Sequence, residues 1–131
     1  NDRYSQASTY HQLGMVAQAQ RQWETAVAHY NQALALKIEF NDRYSQASTY
    51  HQLGMVAQEQ GQWQEAFDYL FQDLTISLEF HDEYGAGITM GSLARVWQAA
   101  PDFAGKADIP GKLAAILSIP TAQALARLQP T

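Results

Sequence analysis

His11 and His51 have the widest chemical repertoire in this sequence, and each is followed by a methionine four residues on, Met15 and Met55. An imidazole beside a thioether suits a metal ion or a soft polar contact with another chain. The metal reading fails on spacing. The two histidines hold one place in a segment that occurs twice, so stacked copies set them on the order of 10 Å apart, while ligand bonds are about 2 Å. No histidine pair lies at i, i+4 within a helix, so no metal and no cofactor are expected. Glu24, Glu65, Asp68 and Glu79 fall on outer faces without a convergent partner and read as solvated charges rather than an acid–base pair. There is no Gly-rich phosphate loop, and no Ser-His-Asp set that the geometry would bring together. No catalytic residue is expected, and the chain does not read as an enzyme. Trp23, Trp63 and Trp97 could stack on a ligand, but their place on apolar stripes assigns them to the core.

Composition narrows the partners. The 131 residues carry a formal charge of −5 with only 8 Lys and Arg. That argues against nucleic acid, which needs many phosphate-neutralising cations, and against an anionic membrane surface. No apolar run approaches the ~20 residues of a membrane helix, and no signal peptide is visible. The absence of Cys fits a reducing compartment. Without an initiator Met, and opening inside a repeat pattern, the chain is expected to be a piece of a longer array.

The elements that must position these side chains follow from one duplication. Asn1–Gln18 recurs letter for letter as Asn41–Gln58, and a fixed period of this size marks stacked supersecondary units. Tyr4, Ala7, Tyr10, Leu13, Gly14 and Ala17 form one helical stripe from Asp2 to Gln20, capped by Asn1 or Asp2. Trp23, Ala26, Val27, Tyr30, Ala33, Leu34 and Ile38 form a second, ending near Phe40. Asn41 tolerates a left-handed backbone and closes that helix, while Asn41 or Asp42 caps the next. Gly61 serves the turn in the second copy where Arg21 stands in the first. The third copy shows only its start, Phe80-His81-Asp82-Glu83-Tyr84, and a helix to about Ala99. Pro101, Gly105, Pro110 and Gly111 then break the pattern. Helices are expected over Ile109–Leu117 and Pro120–Leu128, each with a capper two residues before its proline, Asp108 and Ser118. This tail reads as a cap on the last apolar face.

Tyr10, Leu13, Gly14, Trp23, Ala26, Tyr30 and Ala33, matched by Tyr50, Leu53, Gly54, Trp63, Ala66 and Leu70, resemble the tetratricopeptide repeat. The period of 40 rather than the family's usual 34 is similar to that of kinesin-light-chain-like arrays and of bacterial signalling-protein arrays. The resemblance covers about residues 1–100. It implies an all-α, right-handed solenoid of antiparallel helix pairs forming a single domain, with repeats at 1–40 and 41–80, a first helix of a third at 81–100 and capping helices at 101–131. Three features depart from the pattern: the helix-terminating Pro is absent, Asp73 replaces Ala33, and the third unit's second helix is broken. Asp73 either stays wet at the inter-repeat seam or is paired there, with the wet edge favoured because unpaired burial is costly.

The resemblance also implies that the first helix of each pair lines a concave face. Its inward positions are then Ser8, His11, Gln12, Met15 and Gln18; Ser48, His51, Gln52, Met55 and Glu59; and Ile88, Ser92, Arg95 and Gln98. They lie off the apolar stripes and could form either a plain polar face or a peptide-binding one. The basic residues with which chaperone-binding members hold a terminal carboxylate are missing. The leading expectation is a protein-interaction scaffold taking a peptide or a partner helix. The rival, for which the resemblance implies a cytoplasmic location, is an assembly or sensor arm of a bacterial signalling protein, packing on its own domains or forming a homodimer through the uncovered first helix or by repeat exchange.

Overall fold

A computed structural model of the chain describes residues 2–130. The Asn1 half of the first capping expectation lies outside them. Five helices follow one another: α1 Asp2–Ala19, α2 Trp23–Glu39, α3 Arg43–Glu59, α4 Trp63–Glu79 and α5 Glu83–Ala99. A 3-10 turn at Lys106–Asp108 leads into α6 Ile109–Leu117 and α7 Thr121–Leu128. No strand occurs among the described residues. The architecture is a helical repeat solenoid.

One turn reverses the chain at each of the first four junctions. After α1, the Arg21 N–H bonds the Gln18 carbonyl at 2.9 Å and the Gln22 N–H bonds Ala17 at 2.9 Å. The same double closure recurs at Asn41–Asp42, Gly61–Gln62 and His81–Asp82. It demands a left-handed residue, and Arg21 (φ 61), Asn41 (φ 54), Gly61 (φ 71) and His81 (φ 54) supply it. Asp42 and Asp82 then cap the next helix, accepting the amides of Ser45 at 3.3 Å and Gly85 at 2.9 Å. With connections this short, successive helices must lie antiparallel side by side. Accordingly α2 packs on both α1 and α3, and α4 on both α3 and α5.

Two apolar clusters hold the stack. The first joins Ala17, Ala26, Tyr30, Leu53 and Val56, with Trp23 half-buried against them. The larger one gathers Phe67, Leu70, Leu74, Leu93 and Val96 with Ile109, Leu113, Ala124 and Leu128 of the tail, so α6 and α7 close the far end. Trp63 and Trp97 pack against it. The tail differs from expectation in its caps. Neither Asp108 nor Ser118 makes a side-chain cap; Ser118 instead ends α6 with φ 56, and Pro120 sits at the N-cap of α7 rather than in its first turn.

Identical sequence has two fates here. Leu53 is 1% exposed beneath α2, while Leu13, expected on a buried stripe, is 42% exposed because no helix among the described residues covers that side of α1. Val16 and Val56 divide the same way. Glycine in the first helices serves close approach. Gly14 lies against the Tyr30 ring, and Gly54 faces Leu70 and the Ala66 carbonyl.

Candidate functional site

α1, α3 and α5 are the first helices of their pairs, and recesses open among some of the residues off their stripes. Ser8, Gln12, Met15, Ser48, Glu59, Ile88, Arg95 and Gln98 are exposed, and the Gln98 amide donates to the Leu128 carbonyl at 3.1 Å. Met15 and Gln18 of α1 border a recess of about 470 Å³ with Gln52 and Glu59 of α3. Gln52 also borders a second recess, of about 370 Å³, with Ser48, His51 and Asp73. A third, of about 250 Å³, opens on Ser8, His11 and Lys37. Some predicted positions are tied inward. Gln18 accepts the Tyr30 hydroxyl at 2.5 Å, Met55 packs partly against the larger core cluster, and Ser92 is 1% exposed.

The second and third recesses are the same place in consecutive repeats. Tyr4, Ser5, Ala7, Ser8 and His11 in one correspond to Tyr44, Ser45, Ala47, Ser48 and His51 in the other. Their floors differ, because the second helices contribute different residues. In the first, Lys37 donates to Thr49 Oγ1 at 2.8 Å and to the Ser45 carbonyl at 3.0 Å, and His11 Nδ1 lies 3.2 Å from the same Thr49 oxygen. In the second, Asp73 Oδ2 accepts the His51 Nδ1–H at 2.7 Å and the Thr89 hydroxyl at 2.7 Å.

Asp73 is therefore not a wet residue. It is 5% exposed and paired, so burial is offset by two hydrogen bonds. The pairing also corrects the expectation that no Ser-His-Asp set comes together. His51 Nε2 lies 3.4 Å from Ser92 Oγ, so the connectivity Asp73–His51–Ser92 is present. Its surroundings do not suit acyl transfer. Ser92 is buried, Arg95 Nη2 donates to its oxygen at 3.1 Å, and it lies mid-helix, where backbone amides are engaged and cannot stabilise an oxyanion. The set is a hydrogen-bonded strut between α3, α4 and α5.

The remaining carboxylates lie outside. Glu24, Glu65, Asp68 and Glu79 are exposed, but Glu79, expected to lack a partner, is held by Arg43 through two bonds of 3.1 Å, which lower its pKa. Arg3 and Glu39 form the matching pair one repeat earlier. Among the described residues no group of three or more metal-ligating side chains converges, and no helix is long and apolar enough to cross a membrane.

The helix-pair stack and the glycine contacts give the architecture from the inside. Comparison with protein families gives it independently: the Tetratricopeptide repeat family matches residues 5–79, more than half of the chain. The chain belongs to the tetratricopeptide repeat family. No curated protein and no solved structure matches it. Tetratricopeptide repeats generally mediate protein–protein interaction, and members are typically non-enzymatic. Two residues on the floors of these recesses, Lys37 of α2 and Asp73 of α4, are not among the expected site positions. Their signal was available: an acid replacing Ala33 on an apolar stripe, and a lysine where the next copy has Ser77.

Proposed function

We propose that the side formed by α1, α3 and α5 is a concave protein-binding face that takes an extended peptide or a partner helix. The observation that carries this reading is that successive first helices share recesses, with Gln52 bordering two of them. A ligand crossing the repeats would meet Ser8, His11, Gln12, Met15, Gln18, Ser48, His51, Gln52, Met55, Glu59 and Arg95 in turn. A peptide-array screen followed by NMR mapping tests it. Peptides selected by the full chain should perturb Ser8, Met15 and Ser48, and Met15→Ser should weaken binding several-fold while Glu24→Ala leaves it unchanged. Perturbations confined to the outer faces of α2 and α4 would refute the reading.

A second reading rests on Leu13 and Val16. Their exposed side is the surface that Leu53 and Val56 bury, so it suits a helix carrying the small-and-aromatic stripe of α2, as in an assembly or sensor arm that packs on a neighbouring domain or another copy. Sedimentation velocity discriminates: a concentration-independent monomer that Leu13→Glu leaves unaltered would remove support for self-association.

A further inference from the structure

We infer that the recess between α1, α2 and α3 is a binding site for a carboxylate, held by Lys37 with His11 beside it. This rests on the concave-face reading and names the chemistry that the face takes at that point.

Lys37 reaches inward from the last turn of α2 and is 7% exposed. An ammonium has three donors; two go to the neutral acceptors Ser45 O and Thr49 Oγ1. The third has no acceptor among the described residues. The ion pairs among these residues are Arg3–Glu39, Arg43–Glu79 and His51–Asp73, none of which involves Lys37. No Asp or Glu lines the recess. A desolvated charge without an opposite charge is costly. Burial accordingly holds Lys37 below the ordinary lysine value, and burial, then the Lys37 charge, lowers His11. Because Thr49 accepts from Lys37, its own hydroxyl can donate to His11 Nδ1, which leaves the His11 Nε2–H as a further donor.

The protein shows what its scaffold does with a carboxylate. In the equivalent recess one repeat on, Tyr44, Ser45, Ser48 and His51 are retained, and Asp73 supplies an internal carboxylate that takes the imidazole and the Thr89 hydroxyl. The first recess has Ala33 at that position and a lysine four residues on. It has the donors without the acceptor, so a carboxylate from another molecule completes it.

Replacing chloride by acetate at constant ionic strength, followed on the imidazole resonances of the full chain, tests the site. Saturable shifts of His11 with His51 unmoved are expected. They should vanish in Lys37→Met, and in Ala33→Asp, which places an acid one helical turn from the lysine. A blocked nine-residue peptide with one central Glu should bind about tenfold tighter than its Gln counterpart, as a hydrogen bond to a charged group implies, and equally tightly in Lys37→Met. The Gln peptide with a free C-terminus distinguishes a terminal from a side-chain carboxylate. No acetate response, a response that chloride reproduces, or one that survives in Lys37→Met overturns the site; Lys37→Met decides alone if Ala33→Asp does not fold. If acetate moves His11 while neither peptide perturbs Met15 or Ser48, the site stands and the concave-face reading falls.

Discussion

The backbone of Gly14 lies so close to Tyr30 that a β-carbon would meet ring atoms Cδ1 and Cε1 at 2.7 Å. Tyr30 cannot withdraw easily, because it is fully buried and its hydroxyl is held by Gln18. Gly14→Ala would gain about 1 kcal/mol of helix propensity and lose about 1–3 kcal/mol to overpacking. The expected net loss is on the order of 1 kcal/mol, read as a lower urea midpoint. An unchanged or higher midpoint would show that the ring gives way freely.

The left-handed turn residues offer a cleaner backbone test. A β-carbon on Gly61 would touch nothing within 4 Å, so Gly61→Ala carries only the cost of its φ of 71°, about 1–2 kcal/mol. Arg21→Gly reverses that strain at φ 61 and should raise the melting temperature. The gain is smaller, since the Arg21 guanidinium lies 5.4 Å from the Trp23 ring centroid and that contact is lost. Equal melting temperatures for Gly61→Ala and the parent chain would mean that the turn stores no strain.

Asp73→Ala restores the residue found at Ala33 but leaves His51 Nδ1 without its acceptor. Thr89 is less affected, because its hydroxyl also reaches the Gly85 carbonyl at 3.0 Å. The expected destabilisation is about 1–3 kcal/mol, with Asp73→Asn losing less. Chemical denaturation of both variants checks the order; a loss below about 0.5 kcal/mol for Asp73→Ala would place the strut outside the stabilising contacts.

Lys37 gives stability a pH dependence with a definite sign. Its folded value lies below the ordinary 10.5, so between the two values the unfolded chain binds more protons and stability rises with pH. Below the folded value both states are protonated and the penalty is constant. Lys37→Met should therefore be more stable than the parent near neutrality, with the gap closing as pH approaches 10.5. His11 acts in the same sense at acid pH, because its lowered value makes protonation oppose folding below 6.5. Paired urea titrations at several pH values cancel the tyrosines common to both chains. A gap that stays constant with pH would refute the assignment.

Much of the fold was legible because local chemistry recurs in register. Asn41 and Gly61 mark left-handed positions, Asp42 and Asp82 mark caps, and Pro110 marks the start of α6. What escaped depended on neighbours distant in sequence. Leu13 and Leu53 have identical flanks, and only the helix above Leu53 separates their fates. Asp73 read as a wet residue because its partners, His51 and Thr89, stand on two other helices. Ser118 has the residue type of a cap, whereas its φ of 56 makes it a stop.

The four matching turns leave the chain no slack. From Trp23 to Ala99 each helix is 17 residues long and opens four positions after its predecessor's last residue. One residue inserted into α3 would swing everything beyond it by about 100°, detaching the downstream stripes from their seats. Tolerance to length change is thus concentrated after Ala99, where the looser connection through Lys106 can absorb it. Natural variation in length should gather there, and grafted loops or tags should be accepted there first.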